Sequence, residues 1–155
     1  MKLNEISTEE PGVYSAVRFS KKTADALIKY AKEIGVPNPL TKKELHTTII
    51  YSPKPLPNFK PLGKISPPMI GTPKELELWD NRSNTSKVLV MPFDCPQLYQ
   101  YFYKVSLQHG APTDFLQYNS HITLSYDAKG FKLKGVKKFD GQLEIVEEYQ
   151  EPLSS

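Results

Sequence analysis

The chain has 155 residues, with 20 Lys+Arg against 17 Asp+Glu for a formal charge of +3, and it is 39% hydrophobic and 11% aromatic. That is enough apolar material for a folded core, which excludes disordered and fibrous classes, and the length suits a single domain built from two lobes. One cysteine, Cys95, excludes an internal disulfide framework and a cysteine-built zinc site, and no apolar run is long enough for a membrane-spanning helix.

The first residues, Met1-Lys2-Leu3-Asn4-Glu5, carry no apolar stretch of the signal-peptide kind, so the expected location is the cytoplasm. Arg18 and Arg82 are the only arginines, whereas Lys129, Lys132, Lys134, Lys137 and Lys138 crowd into one stretch. Such a cluster either steers a phosphate-bearing partner or forms the solvated rim of a hairpin.

Val13, Ser15, Val17 and Phe19 alternate with Tyr14, Ala16 and Arg18, the period-two pattern of a half-buried strand. Ser20 then caps a helix whose apolar positions Ala24, Leu27, Ile28, Ala31 and Ile34 recur at helical spacing. Gly35 stops it, and Pro37 and Pro39 block continuation. Leu45 to Tyr51 reads as a second strand.

Seven prolines between 53 and 73 (Pro53, Pro55, Pro57, Pro61, Pro67, Pro68 and Pro73) remove ladder donors. The expectation is an extended connector with at most edge-strand pieces, packed down by Phe59, Ile65, Met69 and Ile70. Lys74 to Trp79 alternates again, Asp80-Asn81-Arg82-Ser83-Asn84 is turn-forming, and Lys87 to Phe93 is a strong strand. Asp94 is expected to cap a second helix with Pro96 in its first turn, an apolar stripe of Leu98, Phe102 and Val105, and Gly110 at its end. Ser120 to Tyr126 follows as a strand. Lys129 to Lys134 with Phe139 to Glu148 reads as a hairpin or a final strand pair.

The second half thus repeats the first, each running strand, helix, strand. His46-Thr47-Thr48-Ile49-Ile50-Tyr51 lines up with His121-Ile122-Thr123-Leu124-Ser125-Tyr126, giving H-x-T-Φ-x-Y twice. The expected fold is α+β: two pseudo-symmetric strand-helix-strand lobes whose central antiparallel sheets face a cleft. All of 1–155 forms one bilobal domain, with lobes at approximately 11–52 and 86–127, the proline-rich connector at 53–73 and a C-terminal strand pair at 129–149.

Residues i and i+2 of a strand face the same side, so His46 shares a face with Thr48, and His121 with Thr123. If the lobes face one another, two imidazoles and two hydroxyls converge. One histidine then accepts a proton from a nucleophile, the other donates one to a leaving oxygen, and the threonines hydrogen-bond the phosphoryl oxygens. An ordinary imidazole pKa of roughly 6.5 lets both protonation states be populated near neutral pH. His109 falls in the last turn of a helix and reads as structural. The two histidines lack neighbouring carboxylate ligands, so neither a metal site nor any other cofactor is expected.

Paired H-x-T motifs on two strand-helix-strand lobes resemble the 2H (two-histidine) phosphoesterase superfamily over most of the chain. That resemblance implies metal-independent action on cyclic or 2′-5′-linked phosphodiesters. The size, Tyr14 before the first helix and Trp79 between the lobes look like the phage anti-CBASS cyclic-nucleotide phosphodiesterases (the anti-CBASS protein 1 family). In that family such aromatics sandwich the bases, which implies binding roles for Tyr14 and Trp79. The residues lend support: Trp79 continues the Glu75 and Glu77 side of its strand, opposite Leu76 and Leu78, and an indole there suits stacking. Glu144, opposite Leu143 and Ile145, is a candidate acceptor for a base amino group; Glu147 and Glu148 compete with it, and Asn119 is a weaker candidate.

The expected reaction is attack by a ribose 2′-hydroxyl on the adjacent 3′-5′ bond of a cyclic di- or trinucleotide, giving a linear 3′-phosphate and counteracting CBASS defence. Either histidine can be the base. No membrane and no long nucleic acid is expected as a partner. The alternatives are opening of RNA 2′,3′-cyclic phosphates, cleavage of 2′-5′ linkages, or a non-catalytic nucleotide sponge.

Overall fold

A computed structural model describes residues 11–81, 83, 85–110 and 118–153, so that Arg82 and Asn84 of the expected turn lie outside the described residues. In chain order the elements are β1 (Val13–Phe19), α1 (Lys21–Ile34), a 3-10 turn (Lys42–Glu44), β2 (Thr47–Ser52), β3 (Gly63–Pro73), β4 (Glu77–Asp80), β5 (Lys87–Asp94), α2 (Pro96–His109), β6 (His121–Ser125) and β7 (Leu143–Pro152). The strand, helix, strand order is present in both halves, as β1–α1–β2 and β5–α2–β6.

Ser20 caps α1, its Oγ accepting from the Thr23 amide at 3.1 Å, and Gly35 ends the helix in the left-handed region at φ 77°, where a Cβ would be strained. The cap of α2 differs from expectation. Asp94 is the last residue of β5 and its carboxylate is paired with Lys74 at 3.1 Å, so Cys95 takes the N-cap without a side-chain bond and Pro96 follows at the start of the helix.

Every strand pairing is antiparallel, in the order β2-β1-β7-β3-β5-β4, with β6 on the other edge of β5. The proline-rich stretch is more than a connector. Its second part, β3, lies inside the sheet between β7 and β5. The ladder to β7 breaks between Lys64 and Met69, which pair with Glu147 and Ile145, so Pro67 and Pro68 occupy an excursion where no ladder donor is asked of them. Prolines therefore mark the break in this strand rather than its absence.

At the C-terminal end, the stretch 129–134 forms turns instead of a strand, with Phe131 bonded back to Ala128 and Gly130 at φ 86°. Only β7 remains of the expected pair. It inserts between β1 and β3, so the last strand of the chain joins the two halves of the sheet.

Both H-x-T strands contain a bulge at the same motif position. Along β1, Ser15 pairs with Ile50 and Ala16 with Thr48, which skips Ile49. Along β5, Leu89 pairs with Ser125 and Val90 with Thr123, which skips Leu124. Each extra residue shifts the phase of the alternation, and the burial follows: Ile49 and Ile50 are both buried, as are Leu124 and Ser125, while Tyr51 and Tyr126 emerge exposed.

One apolar core collects residues from both helices and both halves of the sheet, among them Leu27, Leu98, Val17, Leu89, Ile122 and Ile145. Beside it stands a buried carboxylate. Glu148 is only 1% exposed; its Oε1 accepts from Tyr101 Oη and from the Leu62 amide, while Oε2 and the buried Ser15 hydroxyl lie near one another outside hydrogen-bonding geometry. Burial raises the Glu148 pKa above the ordinary value of 4.5 against the lowering effect of these donors. The folded protein thus holds this proton more tightly than the unfolded chain, and stability falls as pH rises from 4.5 through the raised value. Glu148→Gln is expected to raise the melting temperature at pH 7.5 and to flatten the decline measured between pH 4.5 and 7.5. Glu148→Ala is expected to cost about 1–3 kcal/mol by stranding Tyr101 and the Leu62 amide.

Candidate active site

The two halves are stitched together along β2 and β6. Thr47 Oγ1 donates to the His121 carbonyl at 2.8 Å, Tyr118 Oη donates to the Thr48 carbonyl, the Leu40 amide bonds Leu124 O at 2.9 Å, and Ser125 Oγ bonds Pro37 O at 2.7 Å. Thr47 is 1% exposed, so its hydroxyl, on the side of β2 away from His46 and Thr48, serves this seam.

On the other side of the seam lies a cavity of about 530 Å³ lined by His46, Thr48, His121, Thr123 and Trp79, together with Asp80, Val88, Val90 and Tyr126. The volume is that of a small-ligand site. Hollows of about 580 and 620 Å³ elsewhere on the protein are as large, so the lining and not the size singles this one out. Among the described residues, no cluster of three or more His, Cys, Asp or Glu is placed to hold a metal ion.

The histidines are held alike. His46 Nδ1 lies 2.7 Å from Glu44 O, and His121 Nδ1 lies 3.0 Å from Asn119 O. A carbonyl can only accept, so each Nδ1 carries a proton, and a ring in its neutral form has its free lone pair on Nε2. Each ring also has an aromatic neighbour. Trp79 meets His121 edge-on with centroids 4.6 Å apart, and Tyr14 meets His46 at 6.3 Å. Burial is the main influence on His121 and pushes its pKa below that of an ordinary imidazole; the His46 charge acts in the same direction, while the Asn119 carbonyl and Glu77 oppose it.

Tyr14 touches the site through Thr48, their hydroxyls being 3.0 Å apart, and burial raises the Tyr14 phenol pKa. Trp79 is oriented by Glu77, which accepts its Nε1–H at 2.8 Å, as the shared strand face of these two residues requires. Glu144 is not brought into the cavity. Its Oε1 accepts from Ser20 Oγ at 2.7 Å and its amide bonds Thr23 Oγ1 at 3.0 Å, so this carboxylate sits at the N-terminus of α1, where the helix dipole favours it. Glu147 pairs with Arg18 at 3.1 Å, and Glu148 is the buried carboxylate described above. Asn119 enters through its carbonyl rather than its side chain. His109 ends α2, against Phe59. Asp80, Val88, Val90 and Tyr126 are cavity residues that strand alternation alone did not reveal; for Tyr126 the signal was its place in the repeat, masked by the bulge.

Fold and cavity together define an α+β protein in which two histidine-threonine pairs line one cavity at the seam between two halves of a sheet. A family model described as "Anti-CBASS protein Acb1" matches residues 11–155. The proteins of that name from Salmonella phage S16 and Enterobacteria phage T4 are each 33% identical to this chain, covering 99% of it and 93% of their own length. That from Yersinia phage phiR1-RT is 34% identical over 92% of the chain and 88% of its own length. The chain belongs to the anti-CBASS protein Acb1 family.

Trp79 is the only tryptophan, so its fluorescence reports on His121 alone among the histidines in edge contact with it. An imidazolium quenches a neighbouring indole. Emission is expected to fall on acidification with a midpoint below ~6.5, and His121→Gln is expected to abolish that transition. A midpoint at or above the ordinary imidazole value would contradict the packing described.

Proposed function

We propose that this protein is a metal-independent phosphodiesterase that cuts 3′-5′ bonds of cyclic di- and trinucleotide signals, and so opposes CBASS in the cytosol of an infected host. The observation that carries the reading is the meeting of both H-x-T pairs in one cavity. Membership in a family whose phage relatives are named for opposing CBASS supports the biological setting. No helix among the described residues is long and apolar enough to cross a membrane, which suits a small-molecule substrate met in solution.

Roles follow from the surroundings of each ring. Burial favours neutral His121, which makes it the general base: its Nε2 takes the proton of a ribose 2′-hydroxyl. The O2′–P bond forms, the P–O5′ bond breaks, and protonated His46 passes its Nε2 proton to the departing O5′. The roles then exchange. His46 accepts a proton from water as that water opens the 2′,3′-cyclic phosphate, and His121 returns one to O2′, leaving a 3′-phosphate. With Tyr14 donating to Thr48, the Thr48 hydroxyl proton is free for a phosphoryl oxygen, and Thr123 serves another. Trp79 and Tyr14 supply flat surfaces for bases, each stacked base being worth roughly 1–3 kcal/mol.

The test is a panel of 3′,3′-cyclic dinucleotides, cyclic trinucleotides, RNA ending in a 2′,3′-cyclic phosphate and 2′-5′ oligoadenylate, with products resolved by chromatography. Linear 3′-phosphates from the cyclic compounds are expected, with the rate unchanged in EDTA and the 2′-deoxy analogues bound but uncut. Turnover confined to the RNA or the 2′-5′ substrate would replace this reading with those activities. Binding without turnover would mark a sponge, and rapid cutting of a deoxy analogue would mean that water is the first nucleophile.

A further inference from the structure

Tyr126 closes the second copy of the H-x-T-Φ-x-Y repeat, five residues after His121. Simple alternation would turn it away from His121 and Thr123. The bulge at Leu124 reverses that phase, and Tyr126 lines the same cavity as both histidines. The residue nevertheless remains 54% exposed, a large aromatic side chain with much of its surface uncovered. Tyr51, its counterpart in the first copy, is 55% exposed and does not line the cavity.

The backbone around Tyr126 is tied down on both sides. Ser125 Oγ donates to Pro37 O at 2.7 Å and accepts from the Asp127 amide at 3.1 Å. Asn38 Nδ2 donates to Asp127 O at 3.0 Å, and Ser86 Oγ donates to the Asp127 carboxylate at 2.6 Å. This is a rigid mount for a side chain that itself contributes little to the core. Tyr126 shares the cavity lining with Thr48, whose hydroxyl lies 3.0 Å from that of Tyr14.

We propose that Tyr126 is a third aromatic wall of the site, which stacks on a base of the substrate distinct from the one held by Trp79 and so selects ligands carrying several bases over mononucleotides. The assignment rests on the cyclic-oligonucleotide reading above. A ring carried on an anchored backbone is suited to this task because less conformational freedom is lost when a base stacks on it.

The test uses the full-length protein with cyclic di-AMP and cyclic tri-AMP, reading steady-state kinetics and, in the His46→Ala background, quenching of Trp79 fluorescence on binding. Tyr126→Ala is expected to raise KM and weaken binding by roughly 5- to 100-fold, with kcat moved far less. Tyr126→Phe keeps the ring and is expected to restore most of the affinity. Tyr51→Ala, equally exposed but outside the cavity, is expected to behave as wild type, and the melting temperature of each variant separates binding loss from unfolding. Wild-type KM in Tyr126→Ala would overturn the proposal while leaving the proposed function intact, and a Phe variant as weak as the Ala variant would overturn stacking as the cause. A wild-type protein that neither binds nor cuts these compounds would overturn both.

Discussion

The site depends on holding β2 against β6, two strands that share no ladder. Within the sheet order they are remote, β2 at one end beyond β1 and β6 on the free edge of β5. What joins them is a set of single hydrogen bonds, Thr47 Oγ1 to the His121 carbonyl between the strands themselves, with Tyr118 from the segment before β6 bonding Thr48 O and Leu40 from the loop before β2 bonding Leu124 O. In a partly buried seam each such bond is costly to break to the extent that its carbonyl would be left without a partner. The bonds to the Thr48 and His121 carbonyls fix the backbone of the H-x-T residues themselves, so the positions of the imidazoles follow from the seam.

The duplicated bulge is the second constraint. A plain strand would offer the cavity His and Thr from each motif and turn the following tyrosine away. With an extra residue at Ile49 and at Leu124, two consecutive side chains enter the core and the tyrosine returns to the outer face. The result is an anchored strand end whose apolar residues secure it while its polar and aromatic residues stay available. The threonine and isoleucine of a single dipeptide, Thr48-Ile49, divide between site and core in this way.

Much of this was legible in the sequence, and the remainder was hidden for identifiable reasons. Helical spacing marked α1 and α2, because each turns one face to the core, which is the condition for an amphipathic pattern; β1 and β5 bury Ser15-Ala16-Val17 and Leu89-Val90-Met91 on both faces, and β5 was marked by its apolar run. The H-x-T repeat marked the cavity pair, since identical chemistry recurring in matched strands is visible without coordinates. Long-range pairing was not visible. Nothing local announces that β7 will run between β1 and β3, or that Pro67 and Pro68 will fall in a gap of the ladder. Glu144 shows the same limit. Its side of the strand was right, but its partner is the Ser20 hydroxyl at the start of α1, a contact between residues far apart in the chain. The N-cap of α2 slipped by one residue because Asp94 is held in β5 and paired to Lys74.

The claim that both imidazoles serve one phosphorus centre is tested most directly by a double-mutant cycle on cyclic dinucleotide cleavage, comparing kcat/KM for His46→Ala, His121→Ala and the double variant. Groups acting as one unit give single losses on the order of 10²–10⁴-fold with the double variant little worse than the poorer single one. Near-normal turnover in either single variant, or losses that multiply as for independent sites, would contradict the account.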